Sequence, residues 1–160
     1  MSRFRVAVVL TALAMAALVG TAPAATAQQT GKPGDFDYYA LVLSWSPTYC
    51  AGAGSGRDKL QCDGSRPFSF VLHGLWPQYE RGYPQSCRTR DKPWVPKKTI
   101  DRMLDIMPSP RLVIHEFKSH GTCSGLAPDA YFDLARKLFG RIAIPARYRN
   151  TAEPLTTSPA

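Results

Sequence analysis

The segment Phe68-Ser69-Phe70-Val71-Leu72-His73-Gly74-Leu75-Trp76-Pro77 alternates. Phe68, Phe70 and Leu72 point one way, and Ser69, Val71 and His73 point the other. That is the period of a strand with one buried face. The strand is expected to end at Gly74, with Pro77 following, so that a histidine sits at its end beside a tryptophan. Upstream, residues 37–45 are rich in Tyr, Leu and Val and read as a second buried strand, stopped by Pro47. A glycine-rich loop, 51–56, lies between Cys50 and Cys62. Downstream, residues 79–94 carry prolines, glycine and arginines and read as irregular. Pro96 then leads into a helix whose Ile100, Met103, Leu104 and Met107 recur at i, i+3, i+4 and i+7, with Pro108 and Pro110 ending it. Residues 111–123 read as mostly helical, with Gly121 as terminator. A third helix is expected over 128–139, with Tyr131, Leu134, Ala135, Leu138 and Phe139 as its apolar stripe and Pro128 in its first turn. Strands and helices do not alternate regularly, and no repeat is visible. The expectation is one α+β domain, a mostly antiparallel sheet packed with helices.

The first 27 residues stand apart. Arg3 and Arg5 precede an uncharged apolar run, 6–19, and Ala25-Thr26-Ala27 fits a small-x-small cleavage site. This is the pattern of a secretory signal peptide. The run is shorter than the roughly 20 residues that span a bilayer, so no membrane anchor is expected after cleavage. Residues 28–35 read as a flexible leader and 36–160 as the folded domain. Export places Cys50, Cys62, Cys87 and Cys123 in an oxidising compartment, where two disulfides are expected and three pairings are open. A zinc site is disfavoured: there is no C-x-x-C pair, and the lone H-x-x-C from His120 to Cys123 has no matching partner. The formal charge of +8, or +6 without Arg3 and Arg5, suits a polyanionic partner.

His73, His115 and His120 are the three histidines, and each sits in a dense segment: 70–77, or His115-Glu116-Phe117-Lys118-Ser119-His120-Gly121-Thr122-Cys123. Histidine titrates near neutrality, so a pair can hold one neutral and one protonated ring. RNA carries its own nucleophile, the 2′-hydroxyl, beside the scissile phosphodiester. It needs a base, an acid and positive charge on the phosphate, and no metal or cofactor. At about 100° per residue, Glu116 and His120 are i, i+4 neighbours, so Glu116 is placed to orient His120.

The segments His73-Gly74-Leu75-Trp76-Pro77 and His115-Glu116-Phe117 … His120-Gly121-Thr122-Cys123 resemble the two active-site segments of the ribonuclease T2 family. Leu43-Ser44-Trp45-Ser46-Pro47-Thr48-Tyr49-Cys50 resembles its first strand. The resemblance implies His73 as general acid, His120 as general base, His115 as phosphate ligand and Glu116 as a transition-state stabiliser. It also implies Cys87–Cys123 and Cys50–Cys62 bridges and a base-binding role for Trp76, with Tyr79 a weaker candidate; Lys118 is a substrate-binding candidate that reaches the phosphate on its long stem, not by the family's route. The implied product is a 2′,3′-cyclic phosphate with a new 5′-hydroxyl, made from single-stranded RNA and not DNA by a secreted or periplasmic monomer. There are two departures. The family's lysine before the second catalytic histidine is Ser119 here, and Lys118 falls about 160° from His120 on a helical wheel. The chain also stops at Ala160, where family members continue with further strands, so the domain is expected to be C-terminally incomplete. An inactive RNA- or polyanion-binding remnant is the alternative function, and a structural zinc protein ranks last.

Overall fold

The structure is a computed structural model, and it describes residues 28–29, 31–52, 56, 58–63, 68–149 and 151. The expected signal peptide, residues 1–27, and the last residues, 152–160, lie outside these.

Two strands form the platform, β2 (Tyr38–Trp45) and β3 (Phe70–Gln78), paired antiparallel. A shorter sheet joins β1 (Gln28–Gln29) to β4 (Tyr83–Pro84) in parallel. The leader is held at two places, this pairing and a 2.9 Å bond from the Gly34 N–H to the Cys123 carbonyl.

β3 does not end at Gly74. The ladder pairs Val42 with Gly74 and the next residue, Leu43, with Leu72, so His73 is an extra residue on β3. Such a bulge bends a strand and re-aims its side chains. Beyond it the alternation is displaced by one. Leu72 and Leu75, three apart, are both fully buried in the core, while His73 and Trp76, also three apart, have their rings 5.8 Å apart. Pro77 is tolerated because, among the described residues, the far edge of β3 pairs with no strand.

After β2 come two short helices, α1 (Ser46–Ala51) and α2 (Lys59–Cys62), joined by Cys50–Cys62. Pro47 occupies the first turn of α1, so it starts a helix as well as ending the strand. α3 (Lys97–Met103) is shorter than its apolar stripe implied. Pro108 disfavours helix at Met107, and the Ile106 carbonyl accepts the Leu72 N–H of β3 at 2.8 Å. α4 (Pro110–Ser119) begins on Ser109, whose hydroxyl accepts the Leu112 N–H. Gly121 does not close it. His120 leaves helical geometry, a 3₁₀ turn covers Gly121–Ser124, and left-handed Gly125 (φ 74°) ends that turn. α5 (Pro128–Phe139) has the expected bounds.

α3, α4 and α5 cover one face of β3. Leu72, Leu75, Met103, Met107, Val113, Phe117, Tyr131 and Phe132 form one core. The Tyr131 hydroxyl, buried within it, donates to the Leu75 carbonyl at 2.7 Å and so is satisfied. The second disulfide, Cys87–Cys123, fastens the irregular segment to the turn that follows α4, and the Ser86 N–H donates to the Ser119 carbonyl at 2.7 Å, occupying an otherwise orphaned helix-end acceptor. No helix among the described residues is long and apolar enough to cross a membrane.

Cys87 and Cys123 are 36 residues apart. Replacing both with Ala is expected to lower unfolding free energy by roughly 3–4 kcal/mol in the chain-entropy account. Urea titration of the double variant checks this, and a loss under about 1 kcal/mol contradicts it.

Candidate active site

The site forms where β3 meets α4 and the turn after it. β3 contributes His73 and Trp76; α4 contributes His115, Glu116 and Ser119, with His120 as its C-cap. The central group is Glu116, whose side chain is 1% exposed. The Trp76 indole N–H donates to Glu116 Oε2 at 2.7 Å, and Glu116 Oε1 lies 3.6 Å from His73 Nε2. Gly74 makes the approach possible: a Cβ there would fall 2.1 Å from Glu116 Oε2 and 2.5 Å from Trp76 Nε1.

His120 is reached through Trp76. The two rings stack at 4.8 Å and 20°. The expected pairing of Glu116 with the His120 ring is replaced by a backbone bond, His120 N–H to Glu116 carbonyl at 2.9 Å, while the Glu116 side chain turns to β3. His120 Nδ1 is buried and has no hydrogen-bond partner among the described residues.

Burial sets the protonation states. It pushes the Glu116 carboxyl up to about 7, against the opposing effect of the Trp76 hydrogen bond. It pushes His120 down to about 4, with His115 and His73 adding like-charge repulsion. His73 is also lowered, by burial first and His115 second.

Ser44, on β2, was not singled out in the sequence. Its Oγ lies 2.8 Å from His73 Nδ1, across the strand pair, and fixes that ring. A cleft of about 430 Å³ opens beside it, with His73 and His115 on its wall. Its far side holds Asp58, which accepts from the Tyr49 hydroxyl and from Ser109 Oγ (2.7 Å) and faces Arg111 at 3.6 Å. No sequence signal marks Ser44 or Asp58, because each acquires its role from strand register or from the path of a loop.

Other expected residues sit apart. Ser119 is buried with Oγ 3.4 Å from His115 Nε2. Lys118 is exposed and lines a different groove, with Trp94 and Lys97. The Tyr79 hydroxyl stands where a Cβ on Gly31 would meet it at 2.8 Å, and Asp35 and Asp37 act on it electrostatically. Among the described residues no group of three His, Cys, Asp or Glu side chains is arranged to hold a metal ion.

Two predictions follow from this geometry. Gly74→Ala must displace Glu116 or Trp76, and is expected to cost at least about 1–3 kcal/mol, as overpacking does; a thermal midpoint equal to that of the unsubstituted protein contradicts it. The second concerns pH. Between pH 4.5 and 7 the folded protein holds a proton on Glu116 that the unfolded chain has released, so this group makes stability fall as pH rises. Between pH 4 and 6.5 the unfolded chain holds a proton on His120 that the folded protein excludes, so this group makes stability rise with pH. The slopes oppose each other. Glu116→Gln removes the first, and its urea midpoint is expected to climb with pH across 4.5–6.5 more steeply than that of the unsubstituted protein. An equal or shallower slope would show that burial does not set these protons.

Comparison with known proteins identifies the family. The model of the ribonuclease T2 family matches residues 36–152. A ribonuclease of Aeromonas hydrophila is 47% identical over 120 residues, covering 75% of this chain and 53% of that protein. Ribonuclease I of Escherichia coli is 30% identical over 162 residues, covering 75% and 59%. Among solved structures, RNase NT in complex with 5′-AMP matches with a TM-score of 0.54 at 30% identity, covering 67% of this chain and 57% of that one. A ribonuclease from bitter gourd seeds matches at 0.52 and 29%, covering 66% and 58%. The chain thus spans about half the length of the relatives it matches. With the family model matching most of the chain and the same fold in solved members at about 30% identity, the chain belongs to the ribonuclease T2 family.

Proposed function

We propose that the protein is a secreted or periplasmic endoribonuclease that cleaves single-stranded RNA by transphosphorylation. The observation that carries this reading is the meeting of His73, Glu116, Trp76 and His120 at one place, with His115 on the adjoining cleft wall. His120, held neutral above about pH 4 by burial, takes the 2′-hydroxyl proton. The 2′-oxygen attacks phosphorus. The bond from phosphorus to the 5′-oxygen breaks, and protonated His73 gives its proton to that oxygen. The products are a 2′,3′-cyclic phosphate and a 5′-hydroxyl. Ser44 keeps the His73 ring turned so that Nε2 faces Glu116. Glu116 is too buried to meet solvent, so its influence on the phosphate runs through the rings it holds. Exposed His115 supplies donors to the phosphate oxygens. The family name, the ribonuclease names of the relatives and the nucleotide in a related structure support this reading, and two disulfides suit an oxidising compartment.

A second reading, an RNA-binding protein with little or no turnover, is favoured by one observation. Position 119 is a buried serine where the family has lysine, which leaves one fewer cation beside His115 and His120.

The test uses RNA and the matching DNA strand, each incubated with purified protein in EDTA. RNA is expected to be cut to 2′,3′-cyclic phosphate ends while DNA survives. His73→Ala and His120→Ala are each expected to lower turnover by about 10²–10⁴-fold. A substrate with a good leaving group needs no acid, so it is expected to rescue His73→Ala and not His120→Ala. The pH profile is expected to be bell-shaped, rising through about 4 with His120 and falling on the acid side of the ordinary histidine value with His73. Binding without cleavage selects the second reading, and rescue of His120→Ala reverses the two roles.

A further inference from the structure

A groove lies along α4 on the side away from Glu116. Its walls are Lys92, Trp94 and Lys97 from the chain before and into α3, Ile100 of α3, and Ile114 and Lys118 of α4. Trp94 is 70% exposed, the most exposed large apolar side chain among the described residues. Its backbone is nevertheless fixed: Pro93 precedes it, and Val95, buried in the core, follows it, with Pro96 next. The result is an indole held out to solvent on a constrained stretch of backbone. Lys97 is engaged by Asp101 at 2.6 Å, but the ammonium groups of Lys92 and Lys118 make no ion pair among the described residues.

The groove is joined to the catalytic cleft by a line of basic side chains. Arg111, His115 and Lys118 follow one another at i, i+4 and i+7 on α4, within about 60° of arc and over roughly 10 Å of helix. All three are exposed. Arg111 and His115 line the cleft, and Lys118 lines the groove. A chain that carries a phosphate at every unit and a flat ring between phosphates matches such a track. The cations meet the backbone and the indole stacks on a base, with no demand on base identity.

We propose that this groove is an accessory binding site for the single-stranded RNA flanking the scissile bond, with Trp94 as its stacking platform and Lys92 and Lys118 as its phosphate contacts. The site makes the protein prefer long strands over dinucleotides. It rests on the ribonuclease reading for its substrate, but its binding can be measured separately.

The full chain is titrated with a 2′-O-methyl RNA decamer, which has no free 2′-hydroxyl, and binding is followed by anisotropy of a labelled strand. Trp94→Ala is expected to weaken binding by roughly 5- to 100-fold. It is also expected to lower kcat/KM for a cleavable decamer while leaving dinucleotide cleavage unchanged. Lys92→Ala with Lys118→Ala is expected to flatten the slope of log K against log salt by roughly 1.4, the share of two single-strand phosphates. Decamer binding by Trp94→Ala equal to that of the unsubstituted protein overturns the proposal, as does an equal loss on dinucleotide and decamer. Dissociation of a dimer by Trp94→Ala without loss of decamer affinity assigns the face to a second copy of the chain and also overturns it. Absence of any RNA cleavage by the unsubstituted protein defeats the ribonuclease reading, and the decamer titration still decides the groove.

Discussion

A carboxyl group carried on a helix is pressed into the bend of a strand, and the other active groups take their places from it. Glu116 is almost wholly enclosed, with one oxygen on the Trp76 indole N–H and the other facing His73. An enclosed acid with so few partners is costly to ionise, so the contact demands close packing and a neutral group. Both conditions have structural causes. The absence of a side chain at Gly74 lets the carboxyl reach the strand, and Phe117 and Val113 on the same helix hold α4 against β3 through the core. Trp76, fixed by its bond to Glu116, then offers a face on which His120 stacks.

The opposite displacements of Glu116 and His120 come from one cause. A dry environment favours the uncharged form of each, which means an added proton for the acid and a missing one for the base. The pair therefore carries little net charge over the mildly acidic range, and the site does not require a buried ion pair. Positive charge is left to the exposed rim, on Arg111, where water screens it.

Much of this was legible from residue order. The strand over 37–45 and the helix over 128–139 followed from period, proline placement and composition, and the disulfide pairs from family likeness. The errors have physical sources. Gly74 and Pro77 carry the marks of a strand end, yet Gly74 serves a close approach from another element and Pro77 lies on a strand with a bare edge. The apolar stripe beyond Met103 is real, since Met107 is in the core, but a turn delivers it there because β3 claims the Ile106 carbonyl. Helical-wheel reasoning paired Glu116 with His120; the helix stops at Ser119, so the wheel does not extend that far. Ser44 owes its role to register alone, which periodicity within one strand does not encode.

The extra residue in β3 makes the site sensitive to chain length as well as to chemistry. Because His73 is the residue without an opposite number, removing any single codon in the middle of the strand would restore an even ladder. Removing codon 73 itself leaves Leu75 opposite Leu41 and Trp76 opposite Ala40, on the faces they hold now; what is lost is the histidine that the bulge carries into the site. Substitution can be graded in such a strand, but deletion cannot. Descendants of this gene are therefore free to vary the side chains along β3 far more readily than the number of residues in it.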